Sequence, residues 1–192
     1  MPIVVFFTSF NVSSAVEQNN TFCSLQDSSY IIKHDLKEYE VYSDIIINAT
    51  PDQVWSVLTD FDKTSQWSSN FYGLVGDVRD GGMVVAKYKV GKQVIDFPHT
   101  LNFRPRNEFS WSSPIVTLPG IKDDHHFIVT ATDDNKTRFV QKDTYTGEHE
   151  VYSNGVTSLV AAKYLAEQQS LEFRKFNREL KFEVEKIYNV RD

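Results

Sequence analysis

Cysteine is almost missing from this chain of 192 residues: Cys23 stands alone, so no internal disulfide can form and the fold must rest on packing. No hydrophobic run is long enough to span a bilayer, the opening stretch Ile3 to Phe7 being far too short. Positive charge is in deficit, with 20 Lys and Arg against 26 Asp and Glu and a formal charge of −6. The bases are interspersed with acids, not gathered into a stripe, which removes the electrostatic footprint for nucleic acid. No Gly-x-Ser-x-Gly elbow exists to project a nucleophilic serine. Gly73, Gly76, Gly81 and Gly82 cluster without the Lys-Ser/Thr ending of a phosphate loop or the spacing of a dinucleotide fingerprint, and they read as turn and bulge glycines.

What the chain does have is aromatic side chains. They make up 14% of it, with 14 Phe and 9 Tyr, more flat apolar surface than a purely structural core of this size demands. A chain of this length buries enough apolar area for one self-sufficient domain. The expected division is an N-terminal extension over 1–39, with a signal-like apolar segment and a polar linker, followed by a domain over 40–190. Ser13-Ser14-Ala15 has the small residues of a signal-peptidase site, but no Lys or Arg precedes Ile3 to Phe7. A cytoplasmic location is therefore favoured, with secretion as the alternative.

Within the domain, Val41 to Asn48 is rich in β-branched residues and runs into Thr50-Pro51, a helix cap followed by a first-turn proline. Val54, Trp55, Val57 and Leu58 give that helix its apolar face, and a second short helical piece carries Trp67. Strand composition follows in Tyr72 to Val78, Met83 to Val90, Val94 to Phe103, Glu108 to Ser112, His126 to Thr132 and Thr137 to Thr146. Turn chemistry at Asp80-Gly81-Gly82, Gly91-Lys92, Pro105-Arg106-Asn107 and Asp133 to Lys136 makes the sheet an antiparallel meander. From Gly155 to about Tyr188 there is no proline or further glycine, and Phe173, Phe176, Leu180, Val184 and Ile187 recur at helical steps. One long helix should therefore lie against the meander, and because a curved sheet and a straight helix do not match in shape, a cavity should form between them.

The order strand, two helices, meander, long helix resembles the START/Bet v 1-like (SRPBCC, polyketide cyclase/dehydrase-like) superfamily. The likeness covers roughly residues 40 to 188. It is carried by Pro51 to Phe61 with Trp67, by Phe103 to Trp111, Leu118-Pro119-Gly120, His126-Phe127, Thr137 to Gln141 and Gly147, and by Asn177 to Lys181. The resemblance implies an α+β helix-grip fold: a curved antiparallel sheet of about seven strands, two short helices and a long C-terminal helix over a cavity. It also implies a hydrophobic ligand, since members bind lipids, sterols, quinones, plant hormones or polyketides, and only some are enzymes.

The expected function is noncatalytic binding or transport of a lipid-, sterol- or polyketide-like molecule. The alternatives are a cyclase or aromatase that shapes a bound chain, recognisable by buried polar groups converging in an apolar interior, and a protein-docking module with a filled cavity. Candidate cavity residues are Trp67, Phe71, Tyr88, Phe97, Trp111, Phe127, Tyr145, Val160 and Tyr164. No residue is assigned as catalytic. Arg104, Tyr88, Tyr145 and Asp96 are the polar groups available to a cyclase, each with an ordinary structural reading beside it. His125 and His126 point to opposite faces of a strand and cannot chelate one metal together, so neither metal nor cofactor is expected. His126 reads as a hydrogen-bonded support for the sheet, and His99 as no better a catalyst. Stable membrane insertion is not expected, although the loop Pro114 to Pro119 is apolar enough to gate the interior, touch a membrane or simply fold inward. The oligomeric state stays open.

Overall fold

A computed structural model of the chain describes residues 27–34, 37–115, 118–147, 151 and 155–188. The signal-like segment and Cys23 lie outside the described residues. The described residues form nine strands: β1 Asp27–Lys33, β2 Glu38–Ile47, β3 Phe71–Gly76, β4 Met83–Val90, β5 Gln93–Thr100, β6 Asn102–Arg104, β7 Glu108–Pro114, β8 Ile121–Ala131 and β9 Thr137–Gly147. Three helices accompany them: α1 Pro51–Leu58, α2 Thr64–Trp67 and α3 Ser158–Ile187. No described helix is long and apolar enough to cross a membrane.

The strands form a six-stranded antiparallel sheet ordered β1-β2-β9-β8-β7-β6 and a three-stranded one ordered β3-β4-β5. The two meet at Leu101. What reads as one strand from Val94 to Phe103 is broken there, because Leu101 turns wholly into the core and exchanges backbone hydrogen bonds with Gly81 and Gly82 instead of a strand neighbour. The segment before β2, read as peripheral, supplies β1, which pairs with β2 from Asp27↔Ile45 to Lys33↔Tyr39. Its Tyr30 stacks on Tyr42 at 4.8 Å.

The expected caps and turns are formed. Thr50 and Gln53 exchange hydrogen bonds in a capping box over Pro51, and a lost box of this kind costs about 1 kcal/mol. Gly73 sits with φ +95° in a bulge of β3, where a Cβ would come within 2.5 Å of the Phe61 carbonyl oxygen, so only glycine fits.

α3 packs along β1, β2 and β9. Its buried residues change in size along its length: Ser158, Ala162 and Ala166 first, then Phe173, Phe176, Leu180 and Val184, while Ile187 is exposed. The small residues bring the first half close to the sheet, and the large ones fill the second half. The interval between helix and sheet is occupied by rings. Phe176 touches Trp67, Phe71, Phe127 and Phe139 with centroids 5.2 to 6.2 Å apart, and Phe109 stacks on Phe127 at 4.5 Å. Two hollows of about 370 and 340 Å³ lie on the solvent side of α3, one against Trp67 and Phe182 and the other against Leu171 and Arg174.

Candidate functional site

Alternation along β7, β8 and β9 decides which side chains enter the interior. Phe109, Trp111 and Ser113 enter from β7, Asp123, His125 and Phe127 from β8, and Gln141, Asp143 and Tyr145 from β9. Register then lines them up in cross-strand rows. Phe109 faces Phe127, which faces Gln141; Trp111 faces His125, which faces Asp143; Ser113 faces Asp123, which faces Tyr145. The interior is thus apolar toward α1 and polar toward the opposite end of the sheet.

The polar rows are densely connected. His99 of β5 stacks on Trp111 at 4.8 Å and makes a 2.7 Å hydrogen bond with Ser113. The Trp111 indole donates to Asp123 Oδ2 at 3.2 Å. Asp143 accepts from the Asp124 amide at 3.2 Å and from the Tyr145 hydroxyl. His125, stacked between Phe127 at 4.3 Å and Phe173 of α3 at 4.7 Å, holds Nδ1 3.8 Å from Asp143 Oδ2. On the next row Asn177 of α3 donates to Ser43 at 3.1 Å. Four atoms here are shut off from solvent without a hydrogen-bond partner: Asp123 Oδ1, His125 Nε2, Gln141 Oε1 and Asn177 Oδ1.

Burial governs the protonation of these groups. It pushes the Asp143 carboxyl well above the usual carboxylate range, with repulsion from Asp123 adding to the effect. Asp123 is pushed up to about 6 by burial, against the hydrogen bond from Trp111. His125 is pulled well below the usual imidazole range by burial and then by His126 and His99, and burial lowers His99 to about 4. Burial, followed by the charge of Asp143, raises the hydroxyls of Tyr88 and Tyr145. At neutral pH both inward imidazoles are uncharged, and Asp143 holds its proton to higher pH than an exposed carboxyl does. Among the described residues no three His, Cys, Asp or Glu stand close enough to hold a metal ion.

Of the residues singled out from the sequence, Phe71, Trp111, Phe127 and Tyr145 are buried in this interior. Half-buried Tyr88 and Phe97 join them from the three-stranded sheet, Tyr88 lying 5.1 Å from Phe71 and 5.9 Å from Phe97. Trp67 packs on Phe176 from the rim and also lines the larger outer hollow. Val160 and Tyr164 are not part of the interior. They are 57% and 47% exposed, because the phase of α3 is set by Ala162 and Ala166, and two residues along a helix is more than half a turn. Arg104 and Asp96 take their ordinary roles as exposed partners of Glu108 and Lys87. His126 faces outward between Glu108 and Asp124. In the loop after β7, Ile115 and Leu118 turn inward beside Ile121 and Tyr145, while Val116 and Thr117 lie outside the described residues.

Asp123, Asp143, Gln141 and Asn177 are candidate-site residues that sequence reasoning missed, while His125 was weighed with His126 as a metal ligand and as one of two histidines of which one could face the cavity. A signal existed in β9. Phe139 and Tyr145 define its inward face, and Gln141 and Asp143 share their parity, so two polar residues stand where apolar ones belong.

Comparison with known proteins bears on the fold and the family. The di-domain aromatase/cyclase StfQ from the steffimycin biosynthetic pathway superposes with a TM-score of 0.65 at 16% identity, covering 81% of this chain and 53% of that one, so this chain spans about half of that protein. The Zhui aromatase/cyclase from Streptomyces sp. R1128 gives 0.62 at 12% identity over 80% of this chain and 97% of that one. A protein of unknown function from Staphylococcus aureus gives 0.59 at 12% identity over 80% and 97%. No curated protein matches the chain by sequence. The profile of one family, described as polyketide cyclase / dehydrase and lipid transport, matches residues 38–185, which is most of the chain. By that match, the chain belongs to the polyketide cyclase / dehydrase and lipid transport family.

Proposed function

We propose that the chain is a noncatalytic carrier or sensor for a hydrophobic small molecule. The polar end of the ligand rests against Asp123, His125 and Asp143, and its body lies among the rings around Phe127 and Phe176. The carrying observation is the division of one interior into a polar end, with four partnerless buried atoms, and an aromatic remainder. Each polar atom buried without a partner costs about 1–3 kcal/mol, and a ligand with hydrogen-bonding groups removes that cost. The same atoms argue against a docking module whose interior is permanently filled. Uptake displaces rings, and those of Phe173 and Phe176 belong to α3, so they move with the helix without breaking a strand ladder.

Native mass spectrometry of the purified protein, set against denaturing spectra of the same sample, tests this reading. A reproducible small-molecule adduct, lost when Trp111 or Phe127 is made smaller, is the expected result. A bare protein that also refuses fluorescent fatty-acid and sterol probes would sink it.

A second reading is acid–base turnover of a bound polyketide-like chain, as in a cyclase or dehydratase. It is favoured by the opposite displacement of two neighbours: burial lowers the proton affinity of His125 and raises that of Asp143, which sets a base beside an acid. Water loss or ring closure of a synthetic β-hydroxyketone, abolished by His125→Ala, would establish it; no turnover with any such substrate would leave the carrier.

A further inference from the structure

We infer that the polar end of this interior is built for a positively charged hydrogen-bond donor, the head of an apolar primary amine, and not for a carboxylate or phosphate head. This rests on the carrier reading and narrows its ligand. Two carboxyl groups, of Asp123 and Asp143, enter the interior from adjacent strands beside the rings of Trp111, His125 and Tyr145. The vacant bonding capacity around them belongs mostly to acceptors: Asp123 Oδ1, Gln141 Oε1 on a side chain 2% exposed, and Asn177 Oδ1 on one wholly buried. His125 Nε2, on a ring 4% exposed, is a further partnerless atom and is an acceptor when the ring's proton is on Nδ1, facing Asp143.

Among the described residues no base opposes these acids. On β8 and β9 the bases Lys122, Arg138 and Lys142 all occupy outward positions; Arg174 of α3 lines a hollow on the solvent side, and its Nε, next to that hollow, is shut off from solvent without a hydrogen-bond partner. The described titratable groups around the two carboxyls are His125 from β8, Tyr145 from β9, Tyr88 from β4, His99 from β5 and Tyr39 of β2 opposite Tyr145, with Asp124 acting from the outward face of β8; the buried face of α3 contributes the ring of Phe173 and the amide of Asn177, neither of them titratable. An anionic head placed here meets two carboxyls and, among the described residues, no base to balance it. An ammonium head donates to the carboxyls, lies against aromatic faces and supplies the charge that lets Asp143 release its proton to solvent. Binding is therefore coupled to proton release and strengthens as pH rises through about 6, where Asp123 ionises.

Calorimetry of the full chain with decylamine, decanol and decanoate, in two buffers of different ionisation enthalpy, reads this directly. The expected order is decylamine tighter than decanol by about tenfold or more, with decanoate weakest and protons released on amine binding. Asp123→Asn and Asp143→Asn should each bring decylamine toward decanol, while Asp133→Asn on the surface leaves the preference intact. Should an Asn variant misfold, the wild-type protein alone decides, since amine affinity falls about tenfold between roughly pH 7.5 and 5 whereas an anion-binding site shows the reverse. Decanoate binding as tightly as decylamine, or an amine preference that survives both substitutions, overturns the inference and leaves the carrier reading standing. Failure of all three probes overturns both.

Discussion

The indole N–H of Trp111 donates to Asp123 at 3.2 Å, diagonally across the β7–β8 pair, and so joins the aromatic half of the interior to the acidic half. The same indole is covered on one face by His99. Replacing Trp111 by Phe keeps much of the ring and removes the donor. Asp123 then loses one of the bonds that hold its acidity, so its carboxyl should titrate above the present value of about 6. Carboxyl NMR of the variant checks this, and an unchanged titration would show that the bond has no influence. The expected loss of stability is about 1–3 kcal/mol.

Two of the buried groups act on stability in opposite directions over one pH window. Folded His99 binds its proton at about 4 and unfolded His99 near 6.5, so its contribution is whole above 6.5 and is lost as pH falls toward 4. Folded Asp123 titrates at about 6 and unfolded Asp123 at 3.8, so its contribution is whole below 3.8 and is lost as pH rises through 6. Each amounts to about 3 kcal/mol at most, and the two largely cancel between pH 4 and 6. His125 adds to the sense of His99, and Asp143 to that of Asp123. Urea unfolding across this window should show Asp123→Asn losing stability steeply on acidification and His99→Gln losing it as pH rises. Parallel curves for both variants and the wild type would refute the cancellation.

Phe176 is the ring on which four others converge, and it is 1% exposed. Truncation to Ala should cost about 3–5 kcal/mol, the usual loss when a buried Phe leaves a void. The space opened next to Phe71 and Phe127 should accept a small aromatic probe, raising the melting temperature of the variant and not that of the wild type. A cost below about 1 kcal/mol would mean that the helix collapses into the gap.

Gly147 ends β9 directly beneath the start of α3. A Cβ there would stand 2.9 Å from the Cα of Leu159, and the obstruction is backbone, which cannot swing away. Gly147→Ala should therefore lift the first turns of α3 at a cost of about 1–3 kcal/mol. Hydrogen exchange should quicken between Leu159 and Ala166 while the β2–β9 ladder stays protected. Uniform exchange over the whole chain would contradict a local displacement.

Much of the frame was legible because it follows local rules. Thr50-Pro51 marks the start of α1, Phe173, Phe176, Leu180 and Val184 mark the inner face of α3, and positive-φ positions at Arg106 and Asn135 fall in the expected turns. β8 was read as beginning at His126 although it begins at Ile121, because Lys122, Asp123, Asp124 and His125 suppress the apolar alternation by which a strand is recognised. Two of those residues, Asp123 and His125, belong to the polar end of the interior. β1 escaped for a related reason: an edge strand with one side in solvent needs little hydrophobic pattern, and Asp27 to Ser29 supply none. Val160 and Tyr164 were placed in the interior from composition, whereas the helical phase is decided by the small residues Ala162 and Ala166 that approach the sheet.

The pairing of β2 with β9 joins positions roughly a hundred residues apart, from Glu38↔Thr146 to Ile47↔Thr137. Closing so large a loop is entropically slow, and no ladder can protect the inner edge of β2 until β9 has been made. During synthesis β2 therefore waits on the ribosome with apolar Val41, Ile45 and Ile47 uncovered until β9 has emerged. Chaperone dependence and sensitivity to translation rate should accordingly be concentrated in the interval before Gly147 has left the ribosome.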